Sequence, residues 1–185
     1  MIDERRHPSN PWLTSRAVFL LDQLLKSDDI GVEFGSGRST LWFAKRLKHI
    51  TSIEDNKAWF STVTTLLANA GVAQKVDYRL AEDEASYAGQ ASTFSDQSVD
   101  FCLVDGSARD ACALGMVPKV KSGGLLVVDN VNWYLPNDVS RSPNTLRSHQ
   151  GTASKTWAEF SEQTKQWRRI WTSNGVTDTC IFFKP

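Results

Sequence analysis

Cysteine is scarce in this chain: Cys102, Cys112 and Cys180 are the only three in 185 residues. Their spacing fits neither a CxxC redox motif nor a zinc pattern, and an odd number does not make a disulfide framework. Cys102 and Cys180 lie within apolar runs, where a free thiol behaves as a small hydrophobe. A reducing cytoplasm is therefore the expected setting. Long apolar runs are also missing. None approaches the roughly 18 residues that span a bilayer, so no membrane partner is expected. Met1–Pro8 has no apolar run behind its charges, and no secretory signal is read there. Nor is one sign of charge in excess, with 21 Lys and Arg against 21 Asp and Glu. A non-specific nucleic-acid binder draws its affinity from a basic excess, so nucleic acid is not an expected partner. Repeats and low-complexity tracts are absent. The length suits a single domain over residues 1–185.

What is present is alternation. Ala17, Val18, Leu21, Leu24 and Leu25 recur at helical spacing and predict a helix over Ser15–Lys26. Ile30–Phe34 reads as a strand, Gly35-Ser36-Gly37 as a turn, and Ser39–Leu47 as a helix capped by Ser39 or Thr40. His49–Ile53, Val76–Leu80, Val99–Val104 and Leu125–Val128 read as further strands. Helices are expected over Lys57–Asn69 and Asp110–Val120. Glu82–Gln97 reads as loop with a short helical turn, and Ser122-Gly123-Gly124 as a turn. Continuous apolar strands alternating with helices predict a doubly wound α/β domain with a mostly parallel sheet. The last third departs from this rhythm. Residues 132–154 are rich in Asn, Ser, Pro and Thr and read as a substrate loop or lid. A helix over Lys155–Gln166 follows. Trp167–Trp171 and Thr179–Phe183, flanking Ser173-Asn174-Gly175, form a hairpin signal.

Chemistry concentrates at Val32-Glu33-Phe34-Gly35-Ser36-Gly37-Arg38-Ser39-Thr40. Glycines between a first strand and a helix let backbone approach a ligand closely. A dinucleotide fold wants G-x-G-x-x-G for its pyrophosphate, but Thr40 stands at the third glycine position. Glu33 would repel a pyrophosphate and suits a ligand bearing an ammonium group. Glu54, nineteen positions after Gly35, ends the second strand. A carboxylate there can accept hydrogen bonds from both hydroxyls of a ribose.

Glu33-Phe34-Gly35-Ser36-Gly37 together with Glu54 resembles the first two motifs of the class I S-adenosylmethionine-dependent methyltransferases. The resemblance covers most of the chain, from about Trp12 to the C-terminal hairpin. It implies a seven-stranded sheet whose last hairpin inserts antiparallel. It also implies that the glycine loop carries the methionine part of S-adenosylmethionine and that Glu54 binds ribose. Leu80-Ala81-Glu82 falls where the family contacts adenine. The implied cofactor contacts are Glu33, Gly35, Ser36, Gly37, Ser39, Glu54, Ala81, Glu82 and Asp105.

Asp105 and Asp129-Asn130 close the fourth and fifth strands, where ligands bind in open α/β sheets. Two carboxylates and an amide oxygen make a hard cluster suited to Mg²⁺ or Ca²⁺. The trio resembles the metal set of the catechol and caffeoyl-CoA O-methyltransferases, with Asp105 and Asp129 the catalytic candidates. The lysine that acts as base in the catechol group corresponds to Ala108, and the adjacent Arg109 stays protonated. The other reading of these acids is that Asp105 orders the cofactor and Asp129-Asn130 ends a strand. Trp133 and Tyr134 are expected substrate walls, and Trp12 can lie across the mouth. Trp42, Trp59, Trp167 and Trp171 are expected in packing roles. His149 is a candidate base, and Arg141 and Arg147 are candidate contacts for an acidic substrate. His7, His49 and His149 lack ligand spacing.

The expected activity is methyl transfer to a small or medium acceptor, most simply at oxygen. A non-catalytic cofactor-binding module in a complex and an NAD-dependent oxidoreductase remain alternatives. The expected partners are a small-molecule acceptor and, as an assembly, a homodimer.

Overall fold

A computed structural model describes residues 10–185. The Met1–Pro8 reading and His7 lie outside the described residues. The chain forms α1 (Ser15–Leu24), β1 (Ile30–Phe34), α2 (Arg38–Ala44), β2 (His49–Glu54), α3 (Lys57–Asn69), β3 (Val76–Leu80), α4 (Glu84–Gly89), β4 (Val99–Val104), α5 (Arg109–Met116), β5 (Val120–Asp129), α6 (Lys155–Gln163), β6 (Arg168–Ser173) and β7 (Asp178–Phe183). The seven strands make one sheet in the order β3-β2-β1-β4-β5-β7-β6. β1 to β5 pair in parallel. β7 inserts antiparallel between β5 and β6.

Alternation along the strands fills two layers, because successive side chains point to opposite faces. Phe101, Leu103, Leu125, Val127 and Ile181 meet α1, α2 and the turn after α2 through Leu21, Phe43 and Leu47. Cys102, Val104, Leu126, Val128, Cys180 and Phe182 meet α4, α5 and α6 through Tyr87, Met116 and Phe160. All three cysteines are free and buried, and burial pushes their thiols up, that of Cys112 to about 12. They serve as core atoms. No helix among the described residues is long and apolar enough to cross a membrane.

Three local expectations need correction. The helix expected over Asp110–Val120 ends at Met116, and Val120 already opens β5. Ser122-Gly123-Gly124 is not a turn before β5; it lies inside that strand. The β4–β5 register jumps there, from Val99↔Val120 to Phe101↔Leu125. Gly123, at φ +79°, lets the chain bulge. The cap of α2 is neither Ser39 nor Thr40. Gly37 holds that position, and its N–H donates to the Thr40 hydroxyl at 2.9 Å.

The strand order reverses between β1 and β4, which are neighbours in the sheet. Their carboxyl ends, Phe34 and Val104, open the crevice where ligands bind in such sheets.

Candidate active site

The first polar cluster starts with Glu33, fully buried near the end of β1. Oε2 accepts hydrogen bonds from the hydroxyls of Thr40 at 2.5 Å and Ser52 at 2.8 Å. Oε1 is buried and has no partner. Desolvation is the largest influence and raises the carboxyl to about 7, against the hydroxyls of Ser39, Thr40 and Ser52, with Glu54 adding repulsion. A buried acceptor without a partner is costly. An ammonium group reaching Oε1 would relieve that cost and restore the charged form.

Above Glu33 the glycine turn is held open by contact. Gly35 has φ +97°, and a Cβ there would lie 2.6 Å from the Gly106 backbone nitrogen. Gly106 is boxed in return by Gly35 and by the Tyr87 hydroxyl, 2.0 Å from where its own Cβ would be. The turns after β1 and β4 therefore touch backbone to backbone. Ser107 donates to the Asp55 carboxylate, joining the ends of β4 and β2.

Glu54 is buried at the end of β2. Its Oε2 accepts from the Ser36 backbone N–H at 3.1 Å and the Ser36 hydroxyl at 2.5 Å, and its Oε1 accepts from the Asn56 N–H at 2.9 Å. Trp59 does not pack in the core. It is 39% exposed, donates Nε1–H to the Ser36 carbonyl at 2.9 Å and lies along Gly37. Tyr78, stacked on Phe60, meets the Ser36 hydroxyl at 2.6 Å. Ala81 is buried and donates its N–H to the Glu54 carbonyl, Glu82 is exposed, and Ser39 is buried in the first turn of α2. Trp12 is exposed, with the Arg38 guanidinium 5.0 Å over its ring at the start of that helix.

A second polar cluster lies at the ends of β4 and β5. Asp105, Asp129 and Asn130 do come together, but around Arg109. Its Nη1 donates to the Asp129 carbonyl at 2.7 Å and Asn130 Oδ1 at 2.9 Å. Its Nη2 donates to the Asp105 carbonyl at 2.6 Å and sits 3.1 Å from Asp105 Oδ1. Its Nε donates to the Gly106 carbonyl at 2.8 Å. The amide of Asn130 donates to the Thr177 hydroxyl at 2.5 Å. Asp129 Oδ1 accepts from Thr179 at 2.5 Å, and the Thr179 hydroxyl accepts from the Thr14 N–H at 3.1 Å. Burial raises Asp129 to about 7, with the Asp105 charge second. It raises Asp105 to about 6 against the opposing Arg109 charge. The metal expectation accordingly meets a donor set already filled. A guanidinium holds the Asp105 carboxylate, the Asn130 amide oxygen and the Asp129 carbonyl, the Asp129 carboxylate is bonded to Thr179, and no group of three His, Cys, Asp or Glu among the described residues forms a cation site. The residues do not fit a divalent ion as they stand.

A cleft of about 350 Å³ adjoins Arg109, lined by Ser107, Ala108, Tyr134, Ala153, Ser154 and Trp157 among others. Tyr134 stacks on Trp157 at 5.1 Å, while Trp133 is 46% exposed. The segment 132–154 is strapped down. Fully buried Asp178 accepts from the Ser140 and Ser142 hydroxyls and from Trp171 Nε1–H, each at 2.5–2.7 Å. Arg147 spends Nη1 on the Asn137 and Ser140 carbonyls. It holds the loop itself, which leaves exposed Arg141 as the freer of the two arginines. His149 is exposed on a 3₁₀ turn.

Residues 32–131 match a family model described as a methyltransferase domain. The chain belongs to that family. The NAD-dependent alternative falls with this membership, and so does the non-catalytic module as the first reading. Solved structures share the fold. A Staphylococcus aureus protein assigned as a caffeoyl-CoA O-methyltransferase is 22% identical at TM-score 0.65, covering 99% of this chain and 90% of that one. A methyltransferase from Geobacter sulfurreducens is 14% identical at TM-score 0.62, covering 94% and 81%. The O-methyltransferase TomG from Streptomyces achromogenes, solved with S-adenosylmethionine, is 15% identical at TM-score 0.60, covering 90% and 77%. No curated protein matches the chain.

Several site residues were missed from the sequence. Thr40 was counted as an absent glycine, yet it braces both Glu33 and Gly37. Gly106 signals its role only through its place after β4. Arg109, unsuited as a base, instead meets five oxygens.

Proposed function

We propose that this methyltransferase transfers the methyl group of S-adenosylmethionine to a hydroxyl of a small or medium acceptor. The observation that carries the donor half is Glu33 Oε1, buried and unpartnered beneath a glycine turn. The ammonium of a methionine moiety satisfies it. Glu54 and Ser36, which now bond to each other, offer oxygens to the ribose hydroxyls. Ala81 and Glu82 lie on the adenine side of this reading, and Ser39 backs the turn. The cofactor, once bound, supplies a methyl on a positively charged sulfur.

The chain's own work is placement and proton acceptance. The acceptor enters the cleft beside Arg109 and Tyr134, with Trp133 at its rim. Its oxygen attacks the methyl carbon; a C–O bond forms as the C–S bond breaks. The hydroxyl proton passes to Asp105, and S-adenosylhomocysteine and a methyl ether leave. Asp105 suits this role because its side chain is 24% exposed. Asp129, 2% exposed and held by Thr179, braces the strand end behind it.

Calorimetric titration with S-adenosylmethionine tests the donor half. Saturable binding in the micromolar to millimolar range is expected, and no binding at millimolar ligand overturns it. A panel of phenols and matched amines, read by S-adenosylhomocysteine release, tests the oxygen assignment. Turnover of amines alone refutes that assignment.

A further inference from the structure

The residues at the ends of β4 and β5 pose a chemical question. Five oxygens converge on one charged group: the carbonyls of Asp105, Gly106 and Asp129, the Asp105 carboxylate and the Asn130 amide oxygen. An all-oxygen cage with a carboxylate is the environment of a hard cation. Here the cation is a guanidinium, 14% exposed, supplied by the first residue of α5. Its planar fork suits the task, since separate N–H groups reach separate acceptors in fixed directions. The backbone bends to present them. Ala108 and Asn130, one on each strand-end turn, both adopt left-handed conformations at φ +43° and +53°. The strain at Ala108 persists because Arg109 ties the turns together.

We propose that Arg109 is the resident cation of the acceptor site and closes it to divalent metals. The proposal rests on the acceptor-site reading above. Arg109 acts there as a positioning residue. It neutralises Asp105, fixes Asn130 and locks the β4 and β5 turns at the spacing the acceptor meets. A divalent ion cannot enter while those oxygens accept from the guanidinium. Without the guanidinium, the Asp105 carboxylate, the Asn130 amide oxygen and three backbone carbonyls converge with no cation between them.

The test is Mn²⁺ binding, read calorimetrically and by electron paramagnetic resonance, without cofactor or acceptor. Wild-type protein is expected to show no saturable Mn²⁺ site up to millimolar ion. Arg109→Met keeps the aliphatic stem and is expected to gain one site at least tenfold tighter than any wild-type binding. Asp105→Asn added to Arg109→Met should abolish the gained site. Arg109→Lys retains a charge and should stay closed, a result that loss of packing alone does not predict. A wild-type Mn²⁺ site lost in Asp105→Asn overturns the proposal on its own, even if Arg109→Met does not fold. A folded Arg109→Met that gains no site overturns it equally. Because the measurements involve no methyl transfer, a failure of the methyltransferase assay leaves them standing, and the two ideas fail separately.

Discussion

The two halves of the site are built on opposite plans. On the donor side, polar groups wait for a partner: Glu33 Oε1 is buried and unpaired, and so is the Tyr87 hydroxyl beside Gly106. On the acceptor side, Asp105, Asp129 and Asn130 are all engaged by Arg109 or by threonine hydroxyls. An unpartnered buried group destabilises the free protein and strengthens binding of the ligand that satisfies it. A satisfied network instead fixes geometry before anything binds. On the proposed function, the donor half is thus tuned for affinity and the acceptor half for position.

The comparison breaks most severely where the halves touch. Gly35→Ala imposes a Cβ at φ +97° against the Gly106 backbone. Left-handed strain and overpacking together are expected to cost about 3 kcal/mol. Thermal unfolding should show this, and calorimetry should find cofactor binding lost.

Next comes the acceptor-side strap. Asp178→Ala leaves the Ser140, Ser142 and Trp171 donors without their shared acceptor. A loss of about 2 kcal/mol is expected, with limited proteolysis shifting to residues 136–150. An unchanged cleavage pattern would show that the strap does not depend on Asp178.

The donor side makes a pH prediction. Glu33 titrates near 7 when folded, against an ordinary value of 4.5. Between those limits the folded state holds a proton that the unfolded state has released. Stability should therefore fall as pH rises from about 4.5 to 7 and level off above. Glu33→Gln should remove that part of the slope in denaturant melts across the range. Binding an ammonium restores the carboxylate, so cofactor binding at pH 6 should release a proton. Calorimetry in buffers of different ionisation enthalpy measures it, and zero release refutes the assignment of Glu33 to the ammonium.

The smallest expected effect is at Ala108. Ala108→Gly relieves a left-handed alanine and should stabilise by about 1 kcal/mol or less. A loss of stability would show that the turn needs the methyl group, which packs against the core.

Legibility follows the same division. Glu33, the glycine turn and Glu54 sit on consecutive elements of one β-turn-α-β unit. They fall within one short stretch of the chain, at the fixed places of such a unit, so a local pattern reveals them. α3 and the strands β1, β3 and β4 were placed to the residue for the same reason, since apolar periodicity is a local signal. Ser122-Gly123-Gly124 was misread because a turn and a bulge use the same glycines, and only the partner strand distinguishes them. Segment 132–154 reads as a substrate loop or lid, and its strapping is invisible in the pattern because Asp178, its anchor, lies beyond it on β7.

The order of elements, their apolar faces and the residues of the cofactor turn follow from the chain's local chemistry, because burial period and backbone permission act over a few residues. Which group neutralises Asp105, which hydroxyls hold Asp129 and where Trp59 points were decided by packing. Those contacts join residues that are far apart along the chain, and their energies depend on burial and direction that exist only once the sheet has assembled.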